Sequence, residues 1–162
     1  MKVYVLLADK GKANPQAGTL DLLNAGWVVT GYGPMTPVGQ ATHPQAVAIF
    51  YEVELSRCNK DLVLAVELLT EDGQQVMFPQ SPGGPPPPPL RVQKTIRVPN
   101  PGGLPTGFPG VGNTLIELMP GPIVPPGSYQ WRVTLDGESN EDWCARFYVR
   151  APEPPPIIGN PT

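Results

Sequence analysis

The stretch DGESNED, residues 136–142, sets oxygen-bearing side chains at every second position. Asp136, Glu138, Asn140 and Asp142 are ligand types that calcium takes, and a loop-bound calcium is the chemistry this spacing suggests. A calcium cage needs six or more oxygens, usually closed by a bidentate acid, with a second loop to complete it. Four side chains on one loop fall short of that, so the plainer reading is a polar, solvated turn between two strands.

Other chemistry is thinner still. The chain has one histidine, His43, in ATHPQA. A lone histidine cannot build a metal site, and a catalytic one needs a nucleophile or carboxylate partner. It reads as a loop residue before a proline. The serines Ser56, Ser81, Ser128 and Ser139 sit in no nucleophile elbow. TGYGP, residues 30–34, is too short for a phosphate-binding or dinucleotide loop. Cys58 and Cys144 have no histidine near them and make no zinc site. Reduced thiols are the default for the pair, with a disulfide as the alternative. Trp131 and Trp143 fall on inward strand faces, where packing explains them better than sugar stacking, and Trp27 is left open. The expectation is a non-enzyme with no cofactor and no metal.

Charge and hydropathy narrow the partners. The 162 residues carry a formal net charge of −3. Nothing draws such a chain electrostatically to nucleic acid or to an anionic membrane. No apolar run approaches the roughly 18 residues that span a bilayer. The opening, MKVYVLLADKGK, is too short for the apolar region of a signal peptide. It reads as a first strand of a protein made and kept in a cytoplasm until assembly.

The elements that would carry any site alternate with period two. In AVAIFYEVELS, Val47, Ile49, Tyr51, Val53 and Leu55 share one face; Ala48, Phe50, Glu52, Glu54 and Ser56 share the other. That pattern predicts a half-buried strand. Leu62, Leu64, Val66 and Leu68 form a second inward row, and EDGQ follows as a tight turn with Gly73 at positive φ before QQVMF returns. Val92, Ile96 and Val98 share a face of RVQKTIRV. NTLIEL is a further strand. Tyr129, Trp131, Val133 and Leu135 point inward from SYQWRVTL, and Trp143, Ala145, Phe147 and Val149 from WCARFYV. KVYVLLA, TLDLL and WVVTGY complete the set at the N-terminal side. Eight or nine short strands without a helical period predict an all-β protein. The expected form is an antiparallel β-sandwich, immunoglobulin-like or C2-like, over residues 1–150; a closed barrel is the second choice.

Proline sets the remaining expectations. There are 24 prolines and 18 glycines, about a quarter of the chain, close to the level that marks disorder. Their placement argues otherwise, because none falls in 46–78 or 127–151. Proline is expected in connections, and the proline-free stretches carry the core. Residues 78–90 and 99–112 are longer than most loops of compact domains. The run from Pro85 through Pro87 to Pro89 must be extended polyproline II, spanning roughly 15 Å. It reads as a strap between strands rather than an SH3- or WW-type ligand. Residues 151–162, APEPPPIIGNPT, form a proline-rich C-terminal arm. Phe108, Ile157 and Ile158 are apolar side chains in polar surroundings, so with Pro85, Pro87 and Pro89 they are the candidate partner contacts.

Three stretches together resemble a known family: GTLDLLNAGWVVTGYGP, VELLTEDGQQV and PPGSYQWRVTLDGE. They are similar to small β-sandwich proteins, of unassigned activity, from actinobacteria and their phages. The motifs are a glycine bend before Trp27, a Glu-Asp-Gly hairpin, and a Pro-Gly-x-Tyr lead-in to a strand ending in Asp-Gly. The resemblance covers more than half of the chain and carries no catalytic residues. The chain departs from the family in its long proline insertions and tail, which look like the arms by which virion proteins lace neighbouring subunits together. The resemblance with these additions implies a virion decoration or minor structural protein, docked on other protein subunits or on its own copies. The expected location is then the virion, assembled in the host cytoplasm. The alternative is a β-sandwich binding module of a bacterial cytoplasm, with loops as its recognition surface.

Overall fold

The computed structural model describes residues 1–105 and 107–153 and shows twelve strands, one 3-10 turn (Leu55–Arg57) and no α-helix among them. The strands are β1 (Lys2–Ala8), β2 (Lys10–Asn14), β3 (Thr19–Leu23), β4 (Val29–Thr30), β5 (Tyr32–Thr36), β6 (Gly39–Thr42), β7 (Gln45–Val53), β8 (Asp61–Thr70), β9 (Arg91–Arg97), β10 (Gly110–Leu118), β11 (Gly127–Leu135) and β12 (Cys144–Val149). A three-stranded sheet runs β1-β7-β10, and a five-stranded sheet runs β4-β12-β11-β8-β9. The fold is a β-sandwich. Two hairpins, β2-β3 and β5-β6, stand beside it.

The core forms where the inward rows meet. Val47, Ile49 and Val53 of β7 face Leu64, Val66 and Leu68 of β8 and Trp131, Val133 and Leu135 of β11, all essentially without solvent exposure. Burying each such aliphatic side chain contributes about 1.5–3 kcal/mol before entropy is counted. Register is enforced by this burial, since a one-residue slip would turn every apolar side chain outward. In β7–β1 the register pairs Tyr51 with Val3, and in β8–β11 it pairs Val66 with Val133.

Several expectations are corrected. Leu55 does not continue the inward row of β7: the strand stops at Val53, the chain enters the 3-10 turn, and Leu55 is 41% exposed. Val92 is on the core side of the edge strand β9 yet 37% exposed, while Ile96 on the same face is buried. Ala48 was expected on a solvated face with Glu52, but it is fully buried along with Ala46. The β2–β3 hairpin lies over that face and touches β7 and β10. It is fastened by Asn113 Nδ2 donating to Gly18 O at 2.7 Å, and by close packing of Gly11 on Leu115 and Leu22. QQVMF returns through isolated bridges rather than as a strand. Proline is not confined to connections, since Pro34 lies within β5. The peripheral two-stranded hairpin allows this, because an edge position does not need the missing N–H. The five-stranded sheet is not wholly antiparallel, because β4 joins β12 in parallel.

Candidate interaction surface

The polyproline segment is held by its own fold. Val76 N donates to Leu68 O at 3.0 Å, Leu90 N to Val76 O at 2.7 Å, and Leu68 N to Leu90 O at 3.0 Å. One register further out, Phe78 N donates to Pro88 O at 2.9 Å, and Met77 pairs with Pro89. Proline offers no N–H but keeps its carbonyl, so Pro88 accepts where it cannot donate. Val76 and Leu90 are buried and clamp the two ends of the segment to the core. At the tip, Gly84 N donates to Ser81 O at 3.0 Å around Gly83, whose φ of +73° suits glycine. Pro85 is exposed, while Pro87 and Pro89 are half-buried. Beside them Met77 and Phe78 are 44% and 45% exposed. Sequence reasoning missed this pair, although an apolar Met-Phe step directly ahead of the proline stretch was the available signal.

The second connection is shorter than expected. β10 begins at Gly110, so only residues 98–109 lie between strands. Gly110 and Gly112 are recruited into the strand because they pair with Val53 and Tyr51 and pack closely against Cys58 and the Tyr51 ring. The connection is tied down at its start, where Asn59 N donates to Val98 O at 2.8 Å and Asn100 N to Asn59 Oδ1 at 3.3 Å. Phe108 N donates to Pro105 O at 3.2 Å, which sets the Phe108 side chain outward at 50% exposure. Pro109 and Gly107 form one wall of a shallow hollow whose other wall is Met1, Val53 and Leu55.

These candidates do not converge. The polyproline connection and the 98–109 connection leave opposite ends of β9, whose seven residues place those ends roughly 20 Å apart at the usual strand rise. Phe108 therefore stands apart from the anchored ends at Pro88–Leu90. The third arm starts where Arg150 N donates to Thr30 O at 3.0 Å, and Pro152 borders an open hollow with Tyr32, Val124 and Pro125. Ile157 and Ile158 lie outside the described residues.

The other sequence candidates have structural employment. Arg57 forms ion pairs with both Asp136, at 3.4 Å, and Glu138. Asn140 Oδ1 accepts from Asp142 N at 3.1 Å, and Asp136 and Gly137 turn the chain with positive φ. The would-be calcium loop is thus a hairpin in which two of the acids, Asp136 and Glu138, share Arg57 as their partner. His43 is exposed, and its backbone N–H donates to Gly31 O at 3.1 Å. Both cysteines are free thiols: Cys58 is buried and donates to Glu54 O, and Cys144 is partly buried and donates to Glu141 O. Trp27 packs edge-on to Phe147 at 6.0 Å, with an indole nitrogen that is buried and without a partner among the described residues. Burial raises the pKa of Tyr32, Tyr51 and Tyr129; the Tyr51 hydroxyl, between Asn113 O and Thr114 Oγ1, is partly compensated by the threonine. Among the described residues no helix is long and apolar enough to cross a membrane.

In comparison with known proteins, no family model and no curated protein matches the chain.

Proposed function

We propose that this protein is a non-enzymatic structural subunit that docks on a larger protein assembly through its proline-rich connections, as a phage capsid decoration or minor virion protein does. The observation that carries the reading is the pairing of a rigid sandwich with apolar side chains held outward on braced, proline-rich connections: Met77, Phe78, Leu104 and Phe108. Side chains fixed in this way lose little conformational entropy on docking, so more of their burial appears as affinity. The polyproline carbonyls add acceptors that need no rearrangement. The family resemblance supplies the virion setting.

The test is assembly. The purified protein is mixed with candidate virion shells, and bound copies are counted by mass measurement. Wild-type protein is expected to saturate a fixed number of positions. Phe108→Ser combined with Phe78→Ser is expected to reduce occupancy at least about tenfold if the exposed aromatics are interface anchors. Removal of residues 151–162 is expected to act in the same direction. Unchanged occupancy in both variants would overturn the arm-docking reading.

A further inference from the structure

The outer face of the five-stranded sheet carries a groove of about 650 Å³ that shares no residue with the proline-rich connections. Its floor comes from the two central strands. Gln130 on β11 stands directly opposite Arg146 on β12, and Ser128 stands opposite Tyr148. Arg132 follows Gln130 by two positions and so shares its face. Val28 and Tyr148, both exposed, make an apolar side, and Glu71 and Glu141 complete the rim.

Three donors in this groove lack partners among the described residues. Gln130 is only 8% exposed, it lines the groove, and its carboxamide makes no hydrogen bond. Its amide atoms are open to the groove rather than sealed from water, since the buried side-chain polar atom without a partner among the described residues is Trp27 Nε1, so the carboxamide is free to bond what enters there. Arg132 and Arg146 make no hydrogen bond or ion pair. The nearest cross-strand acid to Arg132 is Glu67, and Glu67 Oε2 accepts instead from Gln75 Nε2 at 3.2 Å. A guanidinium presents a planar fork that matches a carboxylate. Two such forks flanking a carboxamide with no protein partner, on the paired strands β11 and β12, form a pre-set receptor for an oxyanion.

The acids on the rim decide which one. Arg132 and Arg146 are matched in number by Glu71 and Glu141, so the groove has no net charge to hold a dianion such as phosphate, whereas a single carboxylate can sit locally between the two guanidiniums. Free rim carboxylates also accept N–H donors, which an extended peptide supplies and a small anion does not. We propose that the groove binds an acidic peptide. A glutamate carboxylate is received by Arg146, Arg132 and the Gln130 amide, its stem lies on Val28 and Tyr148, and its flanking backbone N–H groups reach Glu71 and Glu141. This assignment does not rest on the arm-docking reading.

The experiment uses the full chain labelled with nitrogen-15 and observes the side-chain N–H signals of Gln130, Arg132 and Arg146. The probes are a capped Ala-Ala-Glu-Ala-Ala peptide, the same peptide with Gln for Glu, and inorganic phosphate. Saturable shifts of all three side chains with the Glu peptide, and none with the Gln peptide, are expected. Arg146→Gln and Arg132→Gln replace guanidiniums on the outer face, leave the core untouched and are checked by thermal unfolding. Each is expected to weaken the Glu peptide at least about tenfold. Equal binding of the Gln peptide, or wild-type affinity in both variants, would overturn the proposal. A response to phosphate with none to the Glu peptide would overturn the peptide assignment. Shell occupancy, which tests the arms, is read separately and does not report on this groove.

Discussion

The indole Nε1 of Trp131 donates to Oε1 of Gln45 at 3.1 Å, and both residues are wholly buried. The bond joins the two sheets, since Gln45 opens β7 and Trp131 sits in the middle of β11. Gln45 Nε2 in turn donates to the hydroxyl of the buried Thr42 at 3.2 Å. Removing one partner strands the other without water. Gln45→Leu is therefore expected to destabilise the fold by about 2–3 kcal/mol, most of it the unpaired indole. Trp131→Phe is expected to cost at least as much, because lost volume adds to the stranded acceptor. The double variant should cost less than the sum, by more than about 0.5 kcal/mol, in urea unfolding. Strict additivity would show that the bond does not couple the sheets.

Gly121 permits the closest backbone approach beside the β5–β6 hairpin. A Cβ there would meet His43 O at 2.2 Å and Thr42 Oγ1 at 2.3 Å. Thr42 N is also held by Pro122 O at 3.0 Å, so the segment cannot simply swing away. Gly121→Ala is expected to lower stability by about 2–3 kcal/mol through overpacking. Gly102→Ala, where nothing lies within 4 Å of the added carbon, is expected to be near neutral. Thermal unfolding of the two variants distinguishes steric contact from a general intolerance of glycine replacement.

Arg57 answers the carboxylates of Asp136 and Glu138. With those two acids engaged, and with no metal-holding cluster of three acidic, histidine or cysteine side chains among the described residues, adding calcium to the wild-type protein is expected to leave its Tm unchanged, because only an ion that binds the folded state raises it. Arg57→Ala is expected to cost under about 1 kcal/mol, since the pairs are partly exposed and screened. A rise in Tm with calcium would restore the loop as a metal site.

The tyrosines set an alkaline limit. Tyr32, Tyr51 and Tyr129 have pKa values raised above the ordinary 10.0, chiefly by burial. A folded-state pKa above the unfolded one means the native protein keeps a proton that the unfolded chain gives up. Their contribution to stability is complete below pH 10 and is lost as pH rises through the folded values. Urea midpoints are expected to be flat with respect to these groups up to about pH 9.5 and to fall beyond it. Tyr51→Phe should reduce the slope, because its ring stays buried while its ionisation is gone. A midpoint that holds steady to pH 11 would mean that these hydroxyls ionise freely in the native state.

Much of the architecture is written in local alternation. The inward rows Val47–Ile49–Tyr51–Val53, Leu62–Leu64–Val66–Leu68 and Tyr129–Trp131–Val133–Leu135 are all buried, because strand geometry sends every second side chain to one face whatever surrounds it. Proline-free residues 46–78 and 127–151 supply most of the core for a related reason: ladder pairing needs the N–H that proline lacks.

What alternation leaves undecided is which sheet, hairpin or strap covers each face, a matter of contacts between residues far apart in the chain. Ala48 is buried where the β2–β3 hairpin lies over β7, and on one face of the edge strand β9 Ile96 is buried while Val92 is exposed. Pro88 is a ladder acceptor only because Phe78 returns alongside it. Gln130 and Arg146 look like ordinary outward residues until β11 and β12 set them opposite one another over a groove. A side chain's face follows from its own backbone, whereas its neighbour across that face depends on how the whole chain packs.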